Sequence, residues 1–278
     1  MSSRQKGFFL VALSVLFMSF ESPIISKTTI SDFNFVFYYG FFIFLSTLAV
    51  LVITKTSPKE YFKNPKALVL AACCMSASNI FFIIAVKLTG IATTVLILAT
   101  SPIICALTSF LIEKKTTPKA LFASAIAVFI GIFIILNDSQ KELNAFGVIF
   151  AFLCVFTMAL LFITFANLKD VNRYAQINLA GVFMFVIASF FCDFKVDLTS
   201  LLLVFLMGMF ISPLARVFLA YGSVYLLTAE VGLLFILESI LAPVWGYLFL
   251  GEVITQNTLI GGAIVLLSVV FYTISYKK

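Results

Sequence analysis

The sequence predicts an all-α membrane protein: ten transmembrane helices arranged as two inverted five-helix repeats. Three observations predict it. First, 63% of the 278 residues are hydrophobic and only 11% are charged, whereas a soluble domain holds about 45–50% apolar and about 25% charged residues. Second, ten apolar stretches approach the length a helix needs to cross a bilayer, about 20 residues at about 1.5 Å rise each. Third, lysine and arginine are dense in alternate connections and sparse in the others, which fixes the parity of the count. No water-soluble fold of this size hides so much apolar surface, so lipid is the solvent for most of the chain.

The stretches fall in two sets. The first comprises Gly7–Ser26, Phe33–Thr54, Ala67–Thr89, Ala92–Ile112 and Ala120–Leu136. The second comprises Ala145–Leu168, Ala175–Phe191, Thr199–Val224, Ala229–Leu250 and Leu259–Tyr276. The tightest cut, Gly90-Ile91, separates the third stretch from the fourth, and Tyr225–Thr228 separates the eighth from the ninth. Arg4 and Lys6 followed by an apolar run resemble a signal peptide, but no small-residue cleavage site follows, so the run reads as an uncleaved first span.

With the N-terminus inside, the cytoplasmic segments hold 13 Lys and Arg, among them Lys55, Lys59, Lys63, Lys66, Lys114, Lys115, Lys119 and Lys277-Lys278. The outer segments hold four: Lys27, Lys87, Lys141 and Lys195. That excess is the orientation signal of ten spans with both termini cytoplasmic, and the expected location is the cytoplasmic (inner) membrane of a bacterium. The formal net charge of +6 is spread over short connections, which argues against a nucleic-acid partner. The five cysteines all lie in apolar runs and there is no histidine, so neither a metal site nor a disulfide framework is expected, and no cofactor.

Residues 1–136 and 145–276 each hold five stretches. Five is odd, so duplicated units must insert in opposite senses, the inverted-repeat arrangement of secondary transporters. At an offset of 137 residues Asn79 meets Arg216 and Ser101 meets Glu238, which aligns the unusual polar positions of the two halves.

A charge in mid-membrane costs about 2.5–3.5 kcal/mol on insertion scales, so such groups normally face a protein interior or a wet cavity. Glu238 sits near the middle of the ninth stretch and has too short a stem to reach an interface. Leu234, Leu241, Ala242 and Trp245 share its face of a continuous helix, and Trp245 either lines a cavity beside it or anchors the outer interface. Arg216 follows Pro213 in the eighth stretch; it either snorkels to the inner interface or faces a cavity. Glu21 precedes Pro23, which bends or ends the first span there, and it lies either in the membrane or at the outer interface. Thr94, Ser101, Cys105 and Thr108 form one helical stripe on the fourth stretch, and Ser76 and Asn79 share a face on the third; either set also serves as interhelical glue. Glu230 and Glu252, at a helix start and a loop, read as structural.

The residues from Leu226 to Tyr272 resemble the second repeat of the EamA-type drug/metabolite transporter superfamily. The shared features are Ala229-Glu230 opening the ninth span, Glu238 within it, Gly251-Glu252 closing it, and Gly261-Gly262 in the last span. Ser239 stands where that family usually has proline. The first half is similar from Leu88-Thr89 through Ser101-Pro102 and at the Glu113-Lys114-Lys115 exit. The resemblance implies ten spans in two inverted repeats and a central cavity lined by spans 1, 3, 4, 6, 8 and 9.

These features predict a secondary active transporter, permease or exporter, moving a small polar metabolite such as an amino acid or related zwitterion by alternating access. The candidate substrate-binding residues are Glu238, Arg216, Glu21, Asn79, Ser101 and Trp245. Arg216 would hold a carboxylate, and Glu238 an ammonium group or a coupling proton. The expected partners are the substrate and the lipid bilayer, with the chain a monomer or homodimer. The alternative is a carrier of S-adenosylmethionine or another larger metabolite, or a lipid-linked headgroup flippase. An enzyme is not predicted: there is no histidine, no HExxH and no paired aspartate motif, and no catalytic residue is assigned.

Overall fold

The computed structural model describes residues 3–113, 120–136, 144–167, 172–226, 231, 234–251 and 255–276. Among these residues there is helix and connection but no strand. Glu230 and Glu252, and the basic positions Lys114, Lys115, Lys119, Lys141, Lys169, Lys277 and Lys278, lie outside the described residues.

The helices are α1 (Ser3–Met18), α2 (Glu21–Lys27), α3 (Asp32–Ile53), the short α4 (Pro58–Tyr61), α5 (Pro65–Thr89), α6 (Ile91–Leu98), α7 (Ser101–Glu113) and α8 (Ala120–Leu136). They continue with α9 (Ala145–Asn167), α10 (Arg173–Ser189), α11 (Leu198–Leu206), a π-helical turn at Met207–Ile211, α12 (Ser212–Gly222), α13 (Ile236–Leu250) and α14 (Gln256–Tyr276). In their described parts, helices occupy each of the ten apolar stretches. Among the described residues, five helical runs are long and apolar enough to cross a membrane, and a sixth is if the bent pair α6–α7 counts as one span. Leu241–Leu250 and Gln256–Ser268 are shorter apolar helices.

Several spans that read as continuous are broken, and three of the breaks have one cause. Proline lacks the N–H that would bond the carbonyl four residues earlier. Pro23 therefore frees Ser19, and α1 ends at Met18. Pro102 frees Leu98, the last residue of α6, and the chain bends there by 44°. Pro213 frees Met209 inside the π-helical turn, and the Ser46 hydroxyl donates to that carbonyl at 2.7 Å. The ninth span is also interrupted, with Phe235 in a turn and α13 starting at Ile236. Phe235 stands four residues before Ser239, so the break is present without the proline that the family resemblance places there. Pro243, one turn further on, lies inside α13 without breaking it.

The cut between the third and fourth spans is a single residue. Gly90, at φ +81°, closes α5 and opens α6, a conformation glycine adopts without steric cost.

The largest helix pairings are α3 with α10, α5 with α9, α8 with α14 and α1 with α12. All four run antiparallel. Along α3 and α10, Gly40 meets Gly181 and Thr47 meets Asn178, and just beyond α10 Asp193 meets Asn34. The backbones nearly touch at Gly40: a Cβ added to Gly181 would stand 2.8 Å from its carbonyl oxygen. Gly131 of α8 approaches Gly261 of α14 as closely. Small residues let helices pack this tightly where lipid supplies no hydrophobic drive between them.

One end of the bundle is tied by polar contacts. Asn34 donates to the Lys195 carbonyl at 2.7 Å, and Thr29 donates to Asp197 at 3.0 Å. Hydrogen bonds from the Ser200 side chain and amide hold the Asp197 carboxyl down to about 2, so this cap of α11 is ionised at neutral pH. Lys87 pairs with Asp32 at 3.9 Å and donates to the Ile30 carbonyl. At the opposite end, Tyr61 donates to Asn178 at 3.0 Å. All five cysteines are free thiols. Cys74, Cys105 and Cys154 are buried as the sequence suggests, but Cys73 is exposed on α5 and Cys192 is half-buried beyond α10.

Candidate functional site

The breaks converge on one buried polar cluster. Glu21 opens α2, Arg216 lies one turn into α12, and Glu238 lies in the first turn of α13. An acid in the first turn of a helix complements the positive end of its dipole. The break is thus what places Glu238, by putting a helix start among buried residues.

Arg216 is the hub. Its Nη2 lies 3.0 Å from Glu21 Oε2, 2.7 Å from Asn79 Oδ1 and 3.3 Å from the Tyr39 hydroxyl, and its Nη1 reaches Met18 Sδ at 3.5 Å. Ser212 donates to the other Glu21 oxygen at 2.7 Å. Glu21 is 1% exposed and Arg216 7%, so protein encloses both side chains. Removing a charge pair from water costs several kcal/mol per ion, so the pair persists only because these further hydrogen bonds satisfy it.

A narrow cavity adjoins the cluster. Its wall includes Glu21, Asn79, Gln176, Arg216 and Glu238 among mainly apolar side chains such as Met75, Met158 and Phe162. The space open to the centres of water molecules is about 30 Å³, whereas one water needs at least about 10–15 Å³ on that measure. The cavity has room for a water or two and too little for a metabolite. Its wall draws on spans 1, 3, 4, 6, 8 and 9, as the resemblance implies, and adds the seventh through Gln176 and Ile177 of α10.

Glu238 differs from Glu21 in its bonding. It is 2% exposed, and its Oε2 has no hydrogen-bond partner. Gln176 Oε1 and Arg216 Nε are also unpartnered. The wall therefore carries two carboxylates and one guanidinium, and the guanidinium is committed to Glu21. A substrate carboxylate that takes Arg216 in a bidentate grip would compete with Glu21, Asn79 and Tyr39 for Nη2.

The remaining candidates sit elsewhere. Ser101 is fully buried at the start of α7 and does not line the cavity. Trp245 does not line it either. Its Nε1 donates to Ser19 at 3.1 Å, and its ring stacks on Phe20 at 4.9 Å and Phe249 at 5.7 Å, which packs α13 against the α1–α2 break. The expected stripe of Thr94, Ser101, Cys105 and Thr108 is divided by the bend: Thr94 belongs to α6, where it bonds Thr89, and the others belong to α7. Leu234 precedes the start of α13, so it does not share a continuous helical face with Glu238.

Residues 5–137 match the EamA-like transporter family. That match, just under half of the chain, supports an EamA-type transporter. Together with the apolar helices, the match supports a multi-pass membrane transporter. The EamA match covers the first half, whereas the motifs that most resemble the family lie in 226–272, where Ser239 replaces the usual proline. No curated protein matches the chain. A crystal structure described only as "Crystal structure of protein" is similar in fold, with a TM-score of 0.74 over 98% of this chain and 98% of its own, at 13% identity.

Tyr39, Ser212 and Gln176 belong to the site but carried no signal among the charged candidates. Tyr39 is one ring in an aromatic run, and Ser212 and Gln176 are uncharged. Ser212 adjoins Pro213, and a polar residue beside a mid-span proline is the cue that would have found it.

Proposed function

We propose that this EamA-type chain is a secondary active transporter that moves a small amine-bearing metabolite, an amino acid or related zwitterion, by alternating access. In this proposal it crosses the cytoplasmic membrane of a bacterium ten times, with both termini inside. One observation carries the substrate reading: Glu238 is a buried carboxylate with an unpartnered oxygen at a cavity whose guanidinium is already neutralised. Such a carboxylate is stable only when it meets a cation or a proton. Glu238 supplies the contact for the substrate ammonium group, or carries the coupling proton in its absence.

The helix pairings support two inverted repeats, 1–136 and 145–276. Exchanging the halves maps span 1 onto 6, 2 onto 7, 3 onto 8, 4 onto 9 and 5 onto 10. The pairs 2–7 and 5–10 then map onto themselves, and 1–8 maps onto 6–3, which are the four largest pairings. The breaks obey the same exchange, since Leu98 and Phe235 are 137 residues apart, as are Asn79 and its hydrogen-bond partner Arg216. Discontinuous helices that meet at the repeat interface are where secondary transporters place their sites.

The test is counterflow in vesicles reconstituted with the full chain. Amino acids and their decarboxylated amines are expected to compete with a labelled amino acid, and the deaminated carboxylates are not. Competition by the carboxylates alone would overturn the ammonium reading.

A further inference from the structure

The connection between α3 and α5 takes no part in the cavity, and its chemistry serves another ligand. Residues 54–66 carry Lys55, Lys59, Lys63 and Lys66 against one acid, Glu60. All four lysines are exposed. Glu60 is committed locally: its carboxylate accepts from the Ser57 amide at 3.1 Å, while the Ser57 hydroxyl accepts from the Glu60 amide at 3.2 Å. That reciprocal pair caps α4. The connection is held in place at both ends. Thr56 N–H returns to the Leu51 carbonyl at 3.0 Å, and Tyr61 is anchored to buried Asn178.

Two shallow apolar grooves flank this basic segment. One, of about 680 Å³, runs along the end of α3 and α4, with Leu48, Val52 and Phe62 in its wall and Lys55 at its margin. The other, of about 530 Å³, lies at the start of α5, with Val69 and Leu70 in its wall and Lys66 at its margin. Each groove joins exposed apolar surface to a lysine. An anionic phospholipid has the matching pattern, a phosphate on apolar chains, and basic pockets at the cytoplasmic ends of spans bind such headgroups.

We propose that residues 54–66 and the two grooves form a binding site for an anionic phospholipid, with its phosphate on the lysines and its acyl chains in the grooves. Charge complementarity selects this occupant. A zwitterionic lipid fills the grooves but brings a cation to the lysines, and a soluble phosphate ester meets the lysines but leaves the grooves open.

The experiment is thermal unfolding of the full chain in neutral detergent with dioleoylphosphatidylglycerol, dioleoylphosphatidylcholine or glycerol 3-phosphate. Phosphatidylglycerol is expected to raise the midpoint, and the other two are not. Lys55→Gln with Lys66→Gln weakens the apparent affinity for phosphatidylglycerol about thirtyfold, from the usual contribution of a lysine near an anionic surface. Lys27→Gln with Lys195→Gln, at the opposite end, leaves it unchanged. An equal response to phosphatidylcholine, a matching response to glycerol 3-phosphate, or an equal loss in the control pair would each overturn the proposal. Native mass spectra of the unmodified chain test the same site with no substitution: phosphatidylglycerol is expected to be retained in preference to phosphatidylcholine, and equal retention would overturn the proposal as well.

Discussion

Arg216→Leu lowers the unfolding free energy by about 3–5 kcal/mol, the cost of leaving one member of a buried ion pair without the other. Glu21, 1% exposed, would keep only the Ser212 hydroxyl, while Asn79 and Tyr39 would lose the donor they share. Glu21→Leu strands Arg216 in the same way. The double variant recovers much of the loss, because an apolar pair of similar volume replaces a buried ion pair at little cost. A double-mutant cycle on denaturant unfolding in detergent reads the coupling directly. Single-variant losses below about 1 kcal/mol, the range of exposed pairs, would mean that the pair is solvated.

Glu238→Gln has the opposite profile. Transport of the preferred amine falls about 10- to 100-fold, as expected when a charged hydrogen bond of about 1.5–3 kcal/mol is lost. Stability is unchanged or rises, because the substitution removes a buried carboxylate with an unpartnered oxygen and breaks no ion pair. Proteins hold such strained groups where function needs them, at a cost in stability. Transport assays and unfolding curves on the same preparation check both halves of the prediction. A variant that transports normally, or that unfolds as readily as Arg216→Leu, would assign Glu238 a structural role.

The two carboxylates show what the sequence makes legible and what it does not. Composition marks the apolar stretches because lipid demands them everywhere along a span. Pro23, Pro102 and Pro213 mark three of the four breaks because each removes a particular backbone bond. The break at Phe235 has no proline, so tertiary packing decides it and no local signal gives it away. Depth in the membrane singles out Glu21, Arg216 and Glu238 by cost alone. Their partnership does not follow from cost, because Glu21 and Arg216 lie 195 residues apart and either acid could have taken the arginine. The 137-residue offset placed Asn79 opposite Arg216, and the two prove to be hydrogen-bonded. Trp245 shows the limit of reading by type. An indole beside a deep acid suggests a cavity wall, yet Ser19 and Phe20 hold it against the α1–α2 break.

Met158 gives the most direct test of a cavity that closes around its cargo, since it lines that cavity from α9 and bonds none of the charged groups. With the five native cysteines replaced by alanine, Met158→Cys is treated with a membrane-impermeant thiol reagent applied separately to each side of sealed vesicles. The predicted result is labelling from both sides at different times in the transport cycle, with saturating substrate slowing both rates. Labelling from one side only, indifferent to substrate, would contradict alternating access at this site.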